Sequence, residues 1–189
     1  EHKMDTARIT ADGRYVYALI KPRLDDAFNP RVATYGIFRA MTGYCGVNPH
    51  DAKSTNKIDS RGVELIELSR NDKMLAVYGK GKIGADEINT IRIYNNTLTK
   101  ILATQRVDSV RSFDFAFGDT SIVGVTDSVL KMDENGSITQ SPKIFKRSLP
   151  DLKQYREANL PFLASTVLGT KDRAIAISNE RGFVALFDA

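Results

Sequence analysis

Four times along this chain an apolar run meets a polar turn containing aspartate and restarts as a second apolar run. The turns are Ala11-Asp12-Gly13-Arg14, Arg70-Asn71-Asp72-Lys73, Gly118-Asp119-Thr120 and Thr170-Lys171-Asp172-Arg173. Aligned on Gly13, Asp72, Asp119 and Asp172, they stand 59, 47 and 53 residues apart. A supersecondary unit repeated at that spacing must stack against its neighbours to bury a continuous core.

A turn that recurs about every 40–50 residues between strand-like runs is the sequence signature of propeller blades. The expected fold is therefore all-β: a β-propeller or part of one, with about four repeats of antiparallel strands and one short inserted helix. One domain is expected over residues 1–189, with repeats at about 5–60, 61–106, 107–147 and 161–189. In the second repeat the strands read Val63–Leu68, Met74–Tyr78, Thr90–Tyr94 and Leu98–Thr104, with a polar loop from Gly79 to Asn89. The third reads Ser112–Phe117, Ser121–Val125, Ser128–Met132 and Ser137–Gln140, the last two joined at Glu134-Asn135-Gly136. Strict alternation places Phe113, Phe115 and Phe117 on one face. The fourth reads Leu163–Leu168, Ala174–Ile177 and Phe183–Phe187. In the first, Ala7–Thr10 and Tyr15–Ile20 form a hairpin and Val32–Met41 contains the third strand. Lys21–Pro30 and Thr42–Arg61 are expected as surface loops.

The helix is expected at about 148–160. Ser148 and Asp151 have the spacing of a capping box, Pro150 fits the first turn, and Leu152, Tyr155, Arg156 and Asn159 recur at helical intervals before Pro161.

The ends of the third strands resemble WD-repeat proteins, whose third strand closes with Trp-Asp. Phe187-Asp188 stands in that place, as do Tyr94-Asn95 and Met132-Asp133. The chain has no Trp, and no Gly-His pair precedes a first strand, so the resemblance is to the superfamily and implies a propeller without implying an activity.

Composition narrows the partners. Twenty-seven basic and 23 acidic residues are interleaved, and the net charge of +4 allows an acidic partner without demanding one. A single cysteine, Cys45, permits no intrachain disulfide and suits a reducing, cytoplasmic setting. No run of 18 or more apolar residues predicts a membrane span. The fourth repeat stops after its third strand, which leads us to expect that this chain belongs to a larger protein or accepts a strand from a partner.

Catalytic sets are sparse. His2 and His50 are the two histidines, and Cys45 with His50 reads as an unrelated loop pair. Asp25-Asp26 and Asp86-Glu87 lack the oxygen spacing of a calcium loop. Gly79-Lys-Gly-Lys-Ile-Gly84 lacks the ending and helix of a phosphate loop, and the sequons at Asn95 and Asn135 sit in turns. No cofactor or metal is implied. The partner-binding candidates are Lys143, Lys146, Arg147, Lys153 and Arg156, clustered around the expected helix. The function expected is a non-catalytic protein-interaction scaffold. Alternatives are an adaptor binding nucleic acid or anionic lipid through that basic patch, and a small-ligand or enzyme propeller.

Overall fold

The computed structural model describes residues 3–21, 36–42, 56–59, 61–83, 86–127, 130–132, 138–140, 142–178 and 182–188. Cys45, His50, Asp25, Asp26, most of Lys21–Pro30 and the Glu134-Asn135-Gly136 turn lie outside them. The chain divides into two compact units, residues 1–102 and 103–189. Every strand pair with a determined register is antiparallel.

The first unit holds two four-stranded sheets. Sheet one is β1 (Lys3–Ile9), β2 (Tyr15–Lys21), β3 (Gly36–Met41) and β4 (Asn56–Ile58). β4 corrects the expectation of a loop throughout 42–61: Ile58 pairs with Ile37 and completes the sheet. Such a three-residue strand has too little pattern of its own and exists because β3 offers it an edge. Sheet two is β5 (Val63–Leu68), β6 (Met74–Ile83), β7 (Asp86–Asn95) and β8 (Ile101–Arg106), with the unit boundary running through β8.

The expected polar loop at 79–89 is also corrected. β6 and β7 stay paired out to Ile83 and Asp86. Thr90 lies buried, and its hydroxyl donates to the Gly79 carbonyl at 3.2 Å. Gly79, at φ 152°, allows the chain to pass β5; a Cβ there would run into the Gly62 carbonyl and Val63.

The two sheets bury Tyr17, Leu19 and Ile37 against Val63, Ile66, Leu75 and Val77. Arg8 forms a two-pronged pair with Glu67, its Nε donating at 2.7 Å. The Asp72 carboxylate accepts the Ala11 amide at 2.9 and 3.1 Å. Three of the four aligned turn positions share a left-handed backbone, with φ of 70° at Gly13, 59° at Asp72 and 62° at Asp119; Asp172 does not. Glycine and aspartate are among the residues that tolerate it.

In the second unit, sheet three begins with β9 (Val110–Ala116) and β10 (Ser121–Thr126). A separate two-stranded hairpin follows, β11 (Leu130–Met132) with β12 (Ile138–Gln140). The sheet resumes with β13 (Lys143–Ser148) on β10 and β14 (Tyr155–Asn159) on β13. The segment expected to supply the third and fourth strands is thus an insertion, and Met132 does not end a third strand of the sheet.

No helix is present among the described residues, so the helix expected at about 148–160 is replaced by a tight hairpin and β14. The Leu152 amide donates to the Ser148 carbonyl in a single turn, and Ser148 N then donates to Gln154 O at 3.1 Å. Leu152 is fully buried at φ 60°, which breaks helical propagation. The Asp151 carboxylate takes the Lys153 amide two residues on rather than capping a helix.

The last sheet is β15 (Thr166–Gly169), β16 (Arg173–Ile177) and β17 (Val184–Asp188). It packs Val167, Ala174, Ala176, Ala185 and Phe187 against Ala116, Val123, Val125 and Ile144 of sheet three. Phe117 joins this cluster and not the face of Phe113 and Phe115. Its φ of 55° takes it out of strand alternation just past the end of β9. Asp114 Oδ2 accepts the Gly169 amide at 2.8 Å, and Phe117 N donates to Thr170 O at 2.7 Å.

Phe113 and Phe115 are buried, Phe115 completely. Phe115→Ala is expected to cost about 3–5 kcal/mol in denaturant unfolding, as for other core aromatic truncations. A loss below about 1 kcal/mol would show that this face is not core.

Candidate functional site

Antiparallel pairing of β13 with β14 sorts the basic candidates by parity, since successive side chains point to opposite faces. Lys143 and Arg147 share one face with Phe145, Tyr155 and Glu157. Lys146 and Arg156, directly paired in register, share the other. Lys153 lies in the hairpin, exposed, 3.8 Å from Asp151. The structure therefore divides the five candidates among three surroundings.

The Lys143–Arg147 face borders a cavity of about 410 Å³ that Asp108, Thr126, Tyr155 and Glu157 also line. Arg147 spans it. Its Nη1 donates to the Leu152 carbonyl and its Nη2 to the Arg106 carbonyl, each at 3.1 Å. The guanidinium carbon stands 4.5 Å above the Tyr155 ring, a stacking that a planar cation favours and an ammonium does not reproduce. Arg147 Nε is buried without a hydrogen-bond partner. Burial lowers the arginine's pKa from its ordinary value, yet the group stays a cation.

Glu157 binds the Lys143 ammonium at 2.5 Å and accepts the Tyr155 hydroxyl. Burial first, then the hydrogen bond to this carboxylate, pushes Tyr155 up to about 12. Lys143 and Tyr155 are tied to Glu157, and Arg147 to two main-chain carbonyls, which holds β14 on the sheet. Sequence reading grouped Tyr155 with Leu152, Arg156 and Asn159 at helical spacing; strand alternation instead joins Tyr155 to Glu157 and Arg147.

On the other face Lys146 Nζ sits 4.0 Å above the Phe117 ring. Lys146 and Arg156, with Ser148 and Gln154, line a groove of about 340 Å³. Elsewhere, hydrogen bonds set the carboxylates. The Arg14 amide and the Thr10 hydroxyl hold Asp12 below the usual range, and Ser109 with Arg111 does the same for Asp127. No group of three or more His, Cys, Asp or Glu able to hold a metal occurs among the described residues. Nor is any helix there long and apolar enough to cross a membrane.

No protein-family model and no curated protein matches the sequence. Solved structures do match. An acylaminoacyl peptidase from Pyrococcus horikoshii is 12% identical, with a TM-score of 0.62 over 100% of this chain and 31% of its own. The β-propeller domain of the Trilobed protease from Pyrococcus furiosus is 11% identical at a TM-score of 0.59, covering 100% of this chain and 55% of that one. A prolyl endopeptidase is 13% identical at 0.58, covering 99% and 27%. At these identities the likeness is one of fold. It defines an all-β, propeller-like protein, and the chain spans about a third of the first peptidase's length.

Because the Tyr155 hydroxyl has a folded pKa of about 12 against an ordinary 10.0, the folded state holds this proton more tightly. The stability it contributes is complete below pH 10 and is lost as pH rises toward 12. Tyr155→Phe removes that dependence. The stability difference between wild type and Tyr155→Phe should therefore shrink in thermal unfolding between about pH 10 and 12. A difference constant across that window contradicts the assignment.

Proposed function

We propose that the chain is a non-catalytic protein-interaction scaffold: one propeller-like domain over residues 1–189, part of a longer cytoplasmic protein. The observation that carries this reading is the apolar outer face of the last sheet. Register aligns Leu168, Ile175 and Leu186 in one row and Thr166, Ile177 and Val184 in the next. Leu168 is 48% exposed, and Val184 and Leu186 are 58% exposed each. A contiguous patch of this kind marks an interaction surface.

The strand edge supports the same reading. β17 has β16 as its one hydrogen-bonded neighbour among the described residues, whereas the other three large sheets have four strands each. Its open side offers main-chain donors and acceptors to an extended segment. Phe187-Asp188 and Tyr94-Asn95, which end β17 and β7, support kinship with degenerate WD repeats. The enzyme alternative draws on the peptidase likeness, which is a likeness of fold alone.

A second reading, an adaptor for nucleic acid or anionic lipid, is favoured by Lys146 standing opposite Arg156 on β13 and β14. In that reading Lys143, Arg147 and Lys153 add to the local positive field.

The scaffold reading is tested by Val184→Lys/Leu186→Lys. Both sites are exposed, so the unfolding free energy should stay within about 0.5 kcal/mol of wild type. Proteins cross-linked to the native chain in cell extract should be lost from the variant. Full retention of those proteins, or peptide hydrolysis by the purified native chain, would contradict the reading.

A further inference from the structure

Lys146 of β13 lies directly across from Arg156 of β14. Like charges in that position destabilise a strand pair, and among the described residues neither is in an ion pair. The groove that they line with Ser148 and Gln154 is one of two hollows sharing this pair. The other measures about 150 Å³, and its apolar wall is Phe117, Val123, Ile144, Ala174 and Phe187. This hollow is open at the side of the charged residues, and its volume has room for a group of about benzene size. Glu157 and Asp188 also border this second hollow. Each already has a cation: Glu157 binds Lys143 at 2.5 Å, and Asp188 binds Arg173 at 3.1 Å. The two central cations are thus left without a counter-charge at the mouth of an apolar chamber.

We propose that this is a binding site for a carboxylate borne on a compact apolar group. The apolar group fills the chamber against Phe117 and Phe187. The carboxylate accepts from the Arg156 guanidinium, whose planar fork matches it, and from the Lys146 ammonium. The Ser148 hydroxyl and the Gln154 amide stand at the groove to complete its hydrogen bonds. The chamber favours this ligand over a free inorganic oxyanion, which would fill the groove and leave the apolar wall uncovered. The same chemistry has two sources, the last residue of a peptide with an apolar side chain and a free branched short-chain acid. The site stands independently of the exposed face of β15–β17.

Calorimetric titration of the full chain with N-acetyl-leucine and with 4-methylpentanoate tests both sources, and N-acetyl-leucinamide is the neutral control. At least one carboxylate should bind saturably, with affinity reduced about tenfold or more in Arg156→Gln and in Lys146→Met. Tighter binding of N-acetyl-leucine identifies a peptide terminus, and tighter binding of 4-methylpentanoate a free acid. Arg156 lies on the fully exposed strand β14, so its substitution should leave the fold intact, which the unfolding midpoint verifies. No saturable binding, equal binding of the amide, undiminished affinity in Arg156→Gln, or inorganic phosphate binding as tightly as the carboxylates would each overturn the proposal.

Discussion

In each unit an aspartate carboxylate on one sheet takes a backbone amide from the neighbouring sheet. Asp72 accepts from Ala11 in the first unit, and Asp114 accepts from Gly169 in the second. A hydrogen bond to a charged group is stronger than most neutral contacts, and it counts for more in the part-buried bond of Asp114 than in the exposed one of Asp72. The second is the tighter approach. A Cβ on Gly169 would collide with the Phe115 carbonyl and Ala116, so β15 reaches β9 because residue 169 has no side chain. With that distance set, Val167, Ala174 and Ala176 meet Val123 and Val125 in one buried cluster.

The charged residues follow from the same geometry. β13 reads Lys143-Ile144-Phe145-Lys146-Arg147-Ser148, so closing one face on the last sheet sends Ile144 and Lys146 to that side and Phe145 and Arg147 to the other. Arg147 is held by two main-chain carbonyls and the Tyr155 ring, and Lys143 by Glu157. Lys146 and Arg156 receive no carboxylate. The binding site proposed on this sheet therefore rests on the pair that the fold leaves uncompensated, while Arg147 and Lys143 hold β14 in place.

The turns were the most legible part of the sequence, because the left-handed positions at Gly13, Asp72 and Asp119 demand particular residues locally. Strand identity in sheets one and two was largely readable for the same local reasons. Pairing was not. Leu130–Met132 has strand character, but whether it joins β10 or folds on Ile138–Gln140 depends on competition from Lys143–Ser148, which local pattern does not encode. Ser148–Leu160 carries helix-start spacing, but the tertiary edge offered by β13 and the burial of Leu152 outweigh it. The basic cluster was visible as composition. Its division by parity was not, because helical and strand periods sort the same residues differently.

The measurement that most directly tests the dependence of the second unit on this close approach is denaturant unfolding of Gly169→Ala. If β15 docks on β9 as described, overpacking against the Phe115 carbonyl should lower stability by about 1–3 kcal/mol, with Gly169 at a backbone conformation that alanine otherwise tolerates. An unfolding midpoint equal to or above that of wild type would contradict the account, since a freely accommodated methyl means the two strands do not meet there.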